Sequence, residues 1–148
     1  MRIKTPRGVR IKTKEGTMEL TWNPAFDEKW EERYGEAQKY IDSEVLRHNA
    51  KYIPFRTGFL NQSGTLGTTV GTGLVVYNAP YARYMSYGKV MRDANGRALY
   101  GKAPKHVTNE PIQYHGAPQR GAYWFERMKA DRLGDILDAA SRAVMQGE

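Results

Sequence analysis

The chain has 148 residues, which is the length of one domain of ordinary size. Hydrophobic residues make up 40% of it and charged residues 26%, so it fits neither a disordered acidic chain nor a membrane protein. Lys and Arg total 23 against 16 for Asp and Glu, and the formal charge of +7 favours an anionic partner. Cysteine is absent, which excludes disulfides, thiolate zinc sites and thiol catalysis.

The positive charge is concentrated in two stretches. Residues 1–14 hold six basic side chains and no carboxylate, residues 51–110 hold eight against two, and the remainder is net acidic. No segment approaches the ~20 apolar residues of a membrane-spanning helix, and the N-terminus lacks the apolar region of a signal peptide. We therefore expect a protein that is neither exported by such a signal nor embedded in a bilayer.

The first elements predicted are two short strands. Apolar and polar residues alternate over residues 9–13 and 17–22 around the turn Lys14-Glu15-Gly16, a pattern typical of a β-hairpin. Opposite-charge pairs across its polar face would add little stability. Its apolar face would hold Val9, Ile11, Met18, Leu20 and Trp22.

A long amphipathic helix is predicted over residues 24–51. Asn23 is a good N-cap, Pro24 suits the first helical position, and Pro54 prevents continuation. Aromatic and apolar residues three or four apart predict one continuous face: Phe26, Trp30, Tyr34, Ala37, Ile41, Val45, His48 and Tyr52. Carboxylates follow the N-terminus, where the helix dipole favours them: Asp27, Glu28, Glu31 and Glu32.

The rest of the chain predicts further short elements and a final helix. Residues 68–70 and 74–77, joined by Gly71-Thr72-Gly73, read as a second hairpin, and residues 79–87 as a short helix. Residues 88–105 predict a long loop or loose hairpin. Residues 118–145 return to helical spacing, with an interruption near Gly134.

This order predicts a single α+β domain over residues 1–148, with a basic hairpin arm at residues 1–22. In it, an antiparallel β-sheet is packed on one face by the long N-terminal helix and the C-terminal helix. The expected core anchors are Trp30, Trp124, Phe125 and Met128.

Catalytic and metal-binding signals are weak. The three histidines are far apart and none has a second histidine three or four residues further on, and His48 reads as a hydrogen-bonded core residue. Ser63 is not in a nucleophile elbow because Asn61 stands where that motif has Gly. The glycines between residues 64 and 73 match no phosphate-binding motif. We expect no enzyme, no metal and no cofactor.

Four segments, in order, resemble one family. Tyr52-Ile53-Pro54-Phe55-Arg56-Thr57-Gly58-Phe59-Leu60-Asn61-Gln62-Ser63 resembles the Y-x-P-x-x-T-G-x-L-x-x-S signature of tail-completion and minor capsid proteins of tailed bacteriophages. Residues 77–89 are similar to their Y-x-x-x-Y-A-x-x-x-E-x-G segment, with Ser86 in place of Glu. Ala117-Pro118 with residues 124–129 resembles the start of their last helix, and residues 3–9 resemble the branch in phages of Gram-positive hosts. The family motif and turn residues are Pro54, Thr57, Gly58, Leu60, Ser63, Tyr81, Ala82, Tyr84 and Gly88.

The resemblance implies a non-enzymatic subunit of a ring, with a hexamer as the expected stoichiometry. Such a ring lies in the neck of the virion between the DNA-filled head and the tail, beside head-closure and tail-terminator proteins, after assembly in the host cytoplasm. In this reading Pro54 and Gly58 reverse the chain from the long helix into the sheet, and Thr57 closes the turn. Tyr81, Tyr84 and Tyr87 anchor the short segment to the core.

The charge map predicts how copies would meet. The basic middle, residues 51–110, would face the acidic helix surface of a neighbour: Asp27, Glu28, Glu31, Glu32 and Glu36. The candidate contacts to neighbouring neck proteins or to DNA in transit are Arg2, Lys4, Arg7, Arg10, Lys12, Lys89, Arg92, Arg97 and Lys102. The alternative is a small basic nucleic-acid-binding module that tracks phosphates and stacks tyrosines on bases.

Overall fold

The computed structural model describes residues 4–97, 104–116 and 118–145. In chain order its elements are β1 (Val9–Thr13), β2 (Gly16–Leu20), α1 (Phe26–Asn49), α2 (Phe59–Gly67), α3 (Ala82–Tyr87), β3 (Lys89–Arg92), β4 (His106–Pro111) and α4 (Trp124–Met145). The α+β class is confirmed. The described strands form two separate two-stranded antiparallel sheets, β1–β2 and β3–β4, and the two long helices α1 and α4 pack against each other.

The predicted N-terminal hairpin is confirmed. Val9 pairs with Leu20 and Ile11 with Met18, so these four apolar side chains share one face. The Thr13 hydroxyl donates to the Gly16 carbonyl at 3.1 Å and closes the turn. Every residue of both strands is exposed, so the hairpin stands outside the core.

The long helix is also confirmed, although it begins two residues later than predicted. Asn23 forms a turn before the helix: its Oδ1 accepts from the Ala25 amide at 2.9 Å, and its carbonyl accepts from the Phe26 amide at 2.9 Å. Ala25, with no capping side chain, is therefore the N-cap. Helix α1 ends at Asn49, ahead of Pro54 as expected.

The predicted second hairpin at residues 68–77 is wrong, because these residues contain no strand. Residues 59–67, where no element was predicted, form helix α2. The glycines serve close packing: a Cβ on Gly64 would lie 2.3 Å from the Tyr77 ring, and one on Gly67 would lie 2.6 Å from the Val76 carbonyl oxygen. Between residues 68–70 and 74–77, only the Thr68 hydroxyl makes a hydrogen-bonded link: it accepts from the Val76 amide at 3.0 Å.

The remaining elements largely follow the predictions. Helix α3 lies within the predicted short helix, and the described part of residues 88–105 is a hairpin that continues into β4, with residues 98–103 outside the described chain. Helix α4 begins at Trp124, six residues later than predicted. The predicted interruption of α4 is wrong: the helix runs through Gly134, where nothing lies within 4 Å of an added Cβ.

The core gathers residues from most of the helical part of the chain. Its buried members are Tyr52, Ile53, Leu60, Ala79, Ala82, Trp124, Met128 and Ile136. Trp124 and Met128 are thus confirmed as core anchors. Phe125 and Trp30 are not: Phe125 is 45% exposed because successive helical residues point ~100° apart, and Trp30 is half-buried among other aromatic rings of α1.

Candidate functional site

The β1–β2 hairpin exposes an apolar face. The exposed fraction rises from 51% at Val9 to 72% at Met18. On the opposite face, Arg10 Nη2 donates to Glu19 Oε2 at 2.8 Å across the strands, as the charge pattern predicted. We call the first surface the apolar hairpin face; it consists of Val9, Ile11, Met18 and Leu20.

Four aromatic rings continue from the hairpin into the first half of α1. The ring centroids of Trp22 and Phe26 are 5.1 Å apart, and each of the next two steps, to Trp30 and to Tyr34, is 5.9 Å. A spacing of four residues places these rings on one side of the helix. Trp22 is 39% and Tyr34 46% exposed. We call this second exterior apolar surface the aromatic ladder.

Carboxylates lie beside the ladder on the same helical turns. Lys29 and Arg33 are the only basic residues between positions 26 and 36, so this part of α1 is net acidic. Glu36 already pairs with Lys39 Nζ at 2.6 Å. The acidic helix surface consists of Asp27, Glu28, Glu31, Glu32 and Glu36, of which all but Asp27 are exposed.

The predicted basic contacts are divided between the two hairpins. Lys4, Arg7 and Lys12 are exposed on or next to the N-terminal arm, and Lys89 and Arg97 are exposed at β3. Two further residues are already paired: Arg10 with Glu19, and Arg92, whose Nη2 lies 2.5 Å from Glu110 Oε2. Arg2 and Lys102 lie outside the described residues.

Basic and tyrosine side chains meet in a hollow beside α3. It has a volume of about 280 Å³. Tyr87 is 54% exposed, and the Arg83 guanidinium carbon lies 6.0 Å from the centroid of its ring. The hollow is lined by Arg83, Tyr84, Tyr87, Lys89, Met91, Lys105 and Val107.

The first family-like segment is the joint between α1 and α2. Pro54, Leu60 and Ser63 are buried, and Gly58 has φ 81° at the residue that starts α2. The prediction that Thr57 closes the turn is wrong, because its side chain is exposed and donates no hydrogen bond within the described residues. The left-handed Gly58 turns the chain into a helix and not into a sheet. A cavity of about 550 Å³ lies beside this joint.

The second family-like segment forms α3 and its ends. Ala82 is buried, Tyr81 and Tyr84 are half-buried, and Gly88 with φ 73° ends the helix. Tyr81 lines the same cavity as the first segment, and its ring centroid is 6.3 Å from that of Phe59. Tyr87 differs from the expectation because it lies outside the core, against the exposed ring of Tyr123.

Two polar anchors escaped the sequence analysis. Asp42 is 3% exposed, and its Oδ2 accepts from the amides of Gly71 at 2.7 Å and Gly73 at 3.1 Å, which ties this turn to α1. Arg120 Nη1 donates to the carbonyls of Ala50 at 2.9 Å and Ile53 at 2.5 Å, which satisfies carbonyls at the end of α1. The available signal for Asp42 was its position. It follows Ile41 by one residue, near the side of α1 that packs against the core.

The pKa values of two groups near the end of α1 are shifted, one by burial and one by a hydrogen bond. The pKa of His48 is lowered from its ordinary value of 6.5, first by burial and then by the Arg47 guanidinium. Its Nδ1 has no hydrogen-bond partner within the described residues, while Nε2 lies 3.4 Å from Glu44 Oε2. The hydrogen bond from Arg47 lowers the pKa of Glu44. His48 is therefore a buried, mostly neutral residue, as the sequence suggested.

The described residues contain neither a cluster of metal ligands nor a helix that could span a membrane. No group of three or more His, Cys, Asp or Glu side chains in that part of the chain is arranged to hold a metal ion. No described helix combines the length and apolar character that crossing a bilayer requires. Comparison with protein-family models, curated proteins and solved structures gives no match.

Proposed function

We propose that the chain is a structural subunit of the neck of a tailed bacteriophage, where copies assemble into a ring that joins head to tail. The proposal rests on the resemblance of four ordered segments to tail-completion and minor capsid proteins. On it, the chain works by binding itself and neighbouring neck proteins and carries out no reaction.

One observation carries the proposal: three of the four family-like segments meet in the core. Tyr52, Ile53 and Leu60 come from the first, Ala79 and Ala82 from the second, and Trp124 and Met128 from the last. These segments are far apart in the sequence. A common core is what segments that record one shared fold require.

The exterior of the molecule suits self-association. The apolar hairpin face and the aromatic ladder together expose several large apolar side chains, and such patches are typical of interaction surfaces. The acidic helix surface and the two basic stretches supply opposite charges for orienting one copy against the next. A ring of six copies remains the expected stoichiometry.

Gene context and mass measurements test this function. Genes for a portal, a major capsid protein or a tail tube beside the coding sequence are expected. The mass of the purified chain and of the chain in isolated necks should then correspond to a multimer. A monomer in both preparations, with no virion genes nearby, would contradict the proposal.

A second candidate function is nucleic-acid binding, and the hollow beside α3 favours it. Arg83, Lys89 and Lys105 surround the exposed ring of Tyr87, which resembles the combination of charge and stacking in single-strand binding surfaces. Such binding should weaken steeply with salt, because each phosphate contact releases counterions. Binding of a labelled oligonucleotide at low and high salt decides this, with Tyr87→Ala as the variant and Tyr34→Ala as a matched control on α1. Undetectable binding at low salt would remove the candidate.

A further inference from the structure

We propose that the apolar hairpin face of one copy docks on the aromatic ladder of a second copy. The inference rests on the proposed self-association and names the two surfaces that meet. In this docking, the acidic helix surface contacts the N-terminal arm of another copy. The charge map predicted instead that it contacts the basic middle.

The two surfaces have matching apolar centres. Ile11 and Met18 are 53% and 72% exposed at the middle of the hairpin face, and they are cross-strand partners, so they form one flat patch. The ladder presents three rings over about two turns of α1 and the Trp22 ring ahead of the helix, and the Arg33 guanidinium carbon lies 5.4 Å from the centroid of the Trp30 ring. Burying aliphatic side chains against aromatic rings removes both surfaces from water.

The segments that carry the two surfaces have opposite net charge. The arm carries five basic residues in its described part, Lys4, Arg7, Arg10, Lys12 and Lys14, against Glu15 and Glu19. Residues 26–36 of α1 hold five carboxylates against two basic residues, with Glu28 and Glu32 on the far side of the helix from the rings. Asp27 and Glu31 follow Phe26 and Trp30 by one residue and so lie ~100° around the helix, at the margin of the rings. A basic arm is attracted to this surface and held in one orientation.

Two hollows on the described surface fit the arm less well, since their charge is of the same sign. Arg83, Lys89 and Lys105 line the hollow beside α3. Arg56 lines the cavity at the α1–α2 joint, and Arg120 lies beside it with its guanidinium carbon 5.2 Å from the ring centroid of Phe55. Like charges would oppose docking of the arm at either place.

The connection between the hairpin and α1 favours a second copy over the chain's own helix. Residues 21–25 hold the hairpin in place, because Asn23 makes two turn bonds, Pro24 restricts the backbone, and the Trp22 ring packs on Phe26. Trp22 is thus already the first member of its own ladder. With this turn intact, the apolar hairpin face stays exposed and available to another molecule.

A contact between two different surfaces has a consequence for assembly. Each copy gives a hairpin and receives one, so the contact is heterologous and repeats from copy to copy. It closes into a ring when the rotation per copy divides a full turn. The docking therefore accounts for a ring without any further interface.

Cross-linking between separately labelled copies tests the inference, and the natural chain contributes no cysteine to interfere. Full-length Ile11→Cys and a tagged Glu31→Cys are mixed under mild oxidation, and the mixed disulfide dimer is quantified. The controls are Thr17→Cys, on the polar face of the same hairpin, and Glu32→Cys, on the far side of α1. We expect severalfold more mixed dimer from the first pair than from any pair that contains a control.

The possible results separate this inference from the proposed function. Equal yields from test and control pairs, with a wild-type chain that sediments as an oligomer, would overturn the docking and leave self-association standing. Cross-links only within single chains that carry both Ile11→Cys and Glu31→Cys would also overturn it, since the hairpin would then cover its own helix. A wild-type chain that is monomeric alone and in isolated necks would overturn both.

Discussion

The two halves of α1 differ in what they contact. From Ala37 to Asn49 the helix turns its side toward the body, where Ala37, His48 and Asn49 are buried and Ile41 and Val45 pack against the core. From Phe26 to Tyr34 the same periodicity continues, yet the rings remain half-buried or exposed. One amphipathic pattern therefore serves folding in one half and leaves an exposed apolar surface in the other.

The largest difference between the core and the exposed N-terminal surfaces should appear in stability. Met128 is 1% exposed, and Met128→Ala should lower the free energy of unfolding by about 2–5 kcal/mol, because it removes core contacts and leaves a cavity. Ile11→Ala, on the exposed hairpin, should change it by less than about 0.5 kcal/mol. Urea unfolding of both variants, at a concentration where the chain is monomeric, measures the two effects. Equal losses would contradict the division into core and arm.

Asp42 should matter next, since it connects α1 to the turn at residues 71–73. Asp42→Ala leaves the amides of Gly71 and Gly73 without their acceptor, at a cost of about 1–3 kcal/mol. Glu32→Ala removes a carboxylate from an exposed site of the same helix and serves as the control. Thermal unfolding should separate the two variants clearly; a small and equal shift would mean that the turn is not held by Asp42.

Two Gly→Ala substitutions should have opposite signs. In α2, Gly64→Ala places a Cβ 2.3 Å from the Tyr77 ring and should destabilise by about 1–3 kcal/mol. In α1, Gly35→Ala meets nothing within 4 Å and should stabilise by up to about 1 kcal/mol, since Ala is the better helix former. The denaturant midpoint of each variant shows whether the substitution stabilises or destabilises the protein. Stabilisation by Gly64→Ala would show that residues 74–77 do not pack on α2.

The smallest effect concerns the pH dependence of the core. Because burial lowers the pKa of His48, the unfolded chain binds its proton more readily, and stability should fall as pH drops below about 6.5. Between about pH 7.5 and about pH 5.5, His48→Gln should flatten this decline. Glu32→Gln is the control, because it removes an exposed carboxylate from the half of α1 that lies away from His48, and it should leave this decline unchanged. An unchanged pH slope in His48→Gln would contradict the buried, neutral assignment.

The sequence predicted those elements that local patterns determine. Alternation around Gly16 predicted the first hairpin, and 3.6-residue spacing predicted α1 and α4. Asn23 and Pro24 predicted the start of α1 to within two residues. Trp124 and Met128 were correctly placed in the core because they lie four apart on the buried side of their helix.

Elements determined by distant contacts were missed. Gly64 and Gly67 suggested turns between strands, but they are small because Tyr77 and Val76 lie against them. Trp30 fits the apolar spacing of α1 and was therefore predicted to be buried. The sequence does not show that the first turns of α1 extend beyond the core of the protein. The bonds of Asp42 and Arg120 reach residues 29 to 70 positions away, so local spacing could not reveal them.

On the proposed function, the exposed N-terminal surfaces assemble copies while the core folds each one. Sedimentation equilibrium of Ile11→Glu beside Thr17→Glu tests it most directly, because both place one carboxylate on the same hairpin but on opposite faces. Wild type and Thr17→Glu should form the same multimer, and Ile11→Glu should be a monomer that unfolds at the same temperature as the wild-type chain diluted until it is monomeric. A multimer of undiminished mass and affinity in Ile11→Glu would contradict the claim.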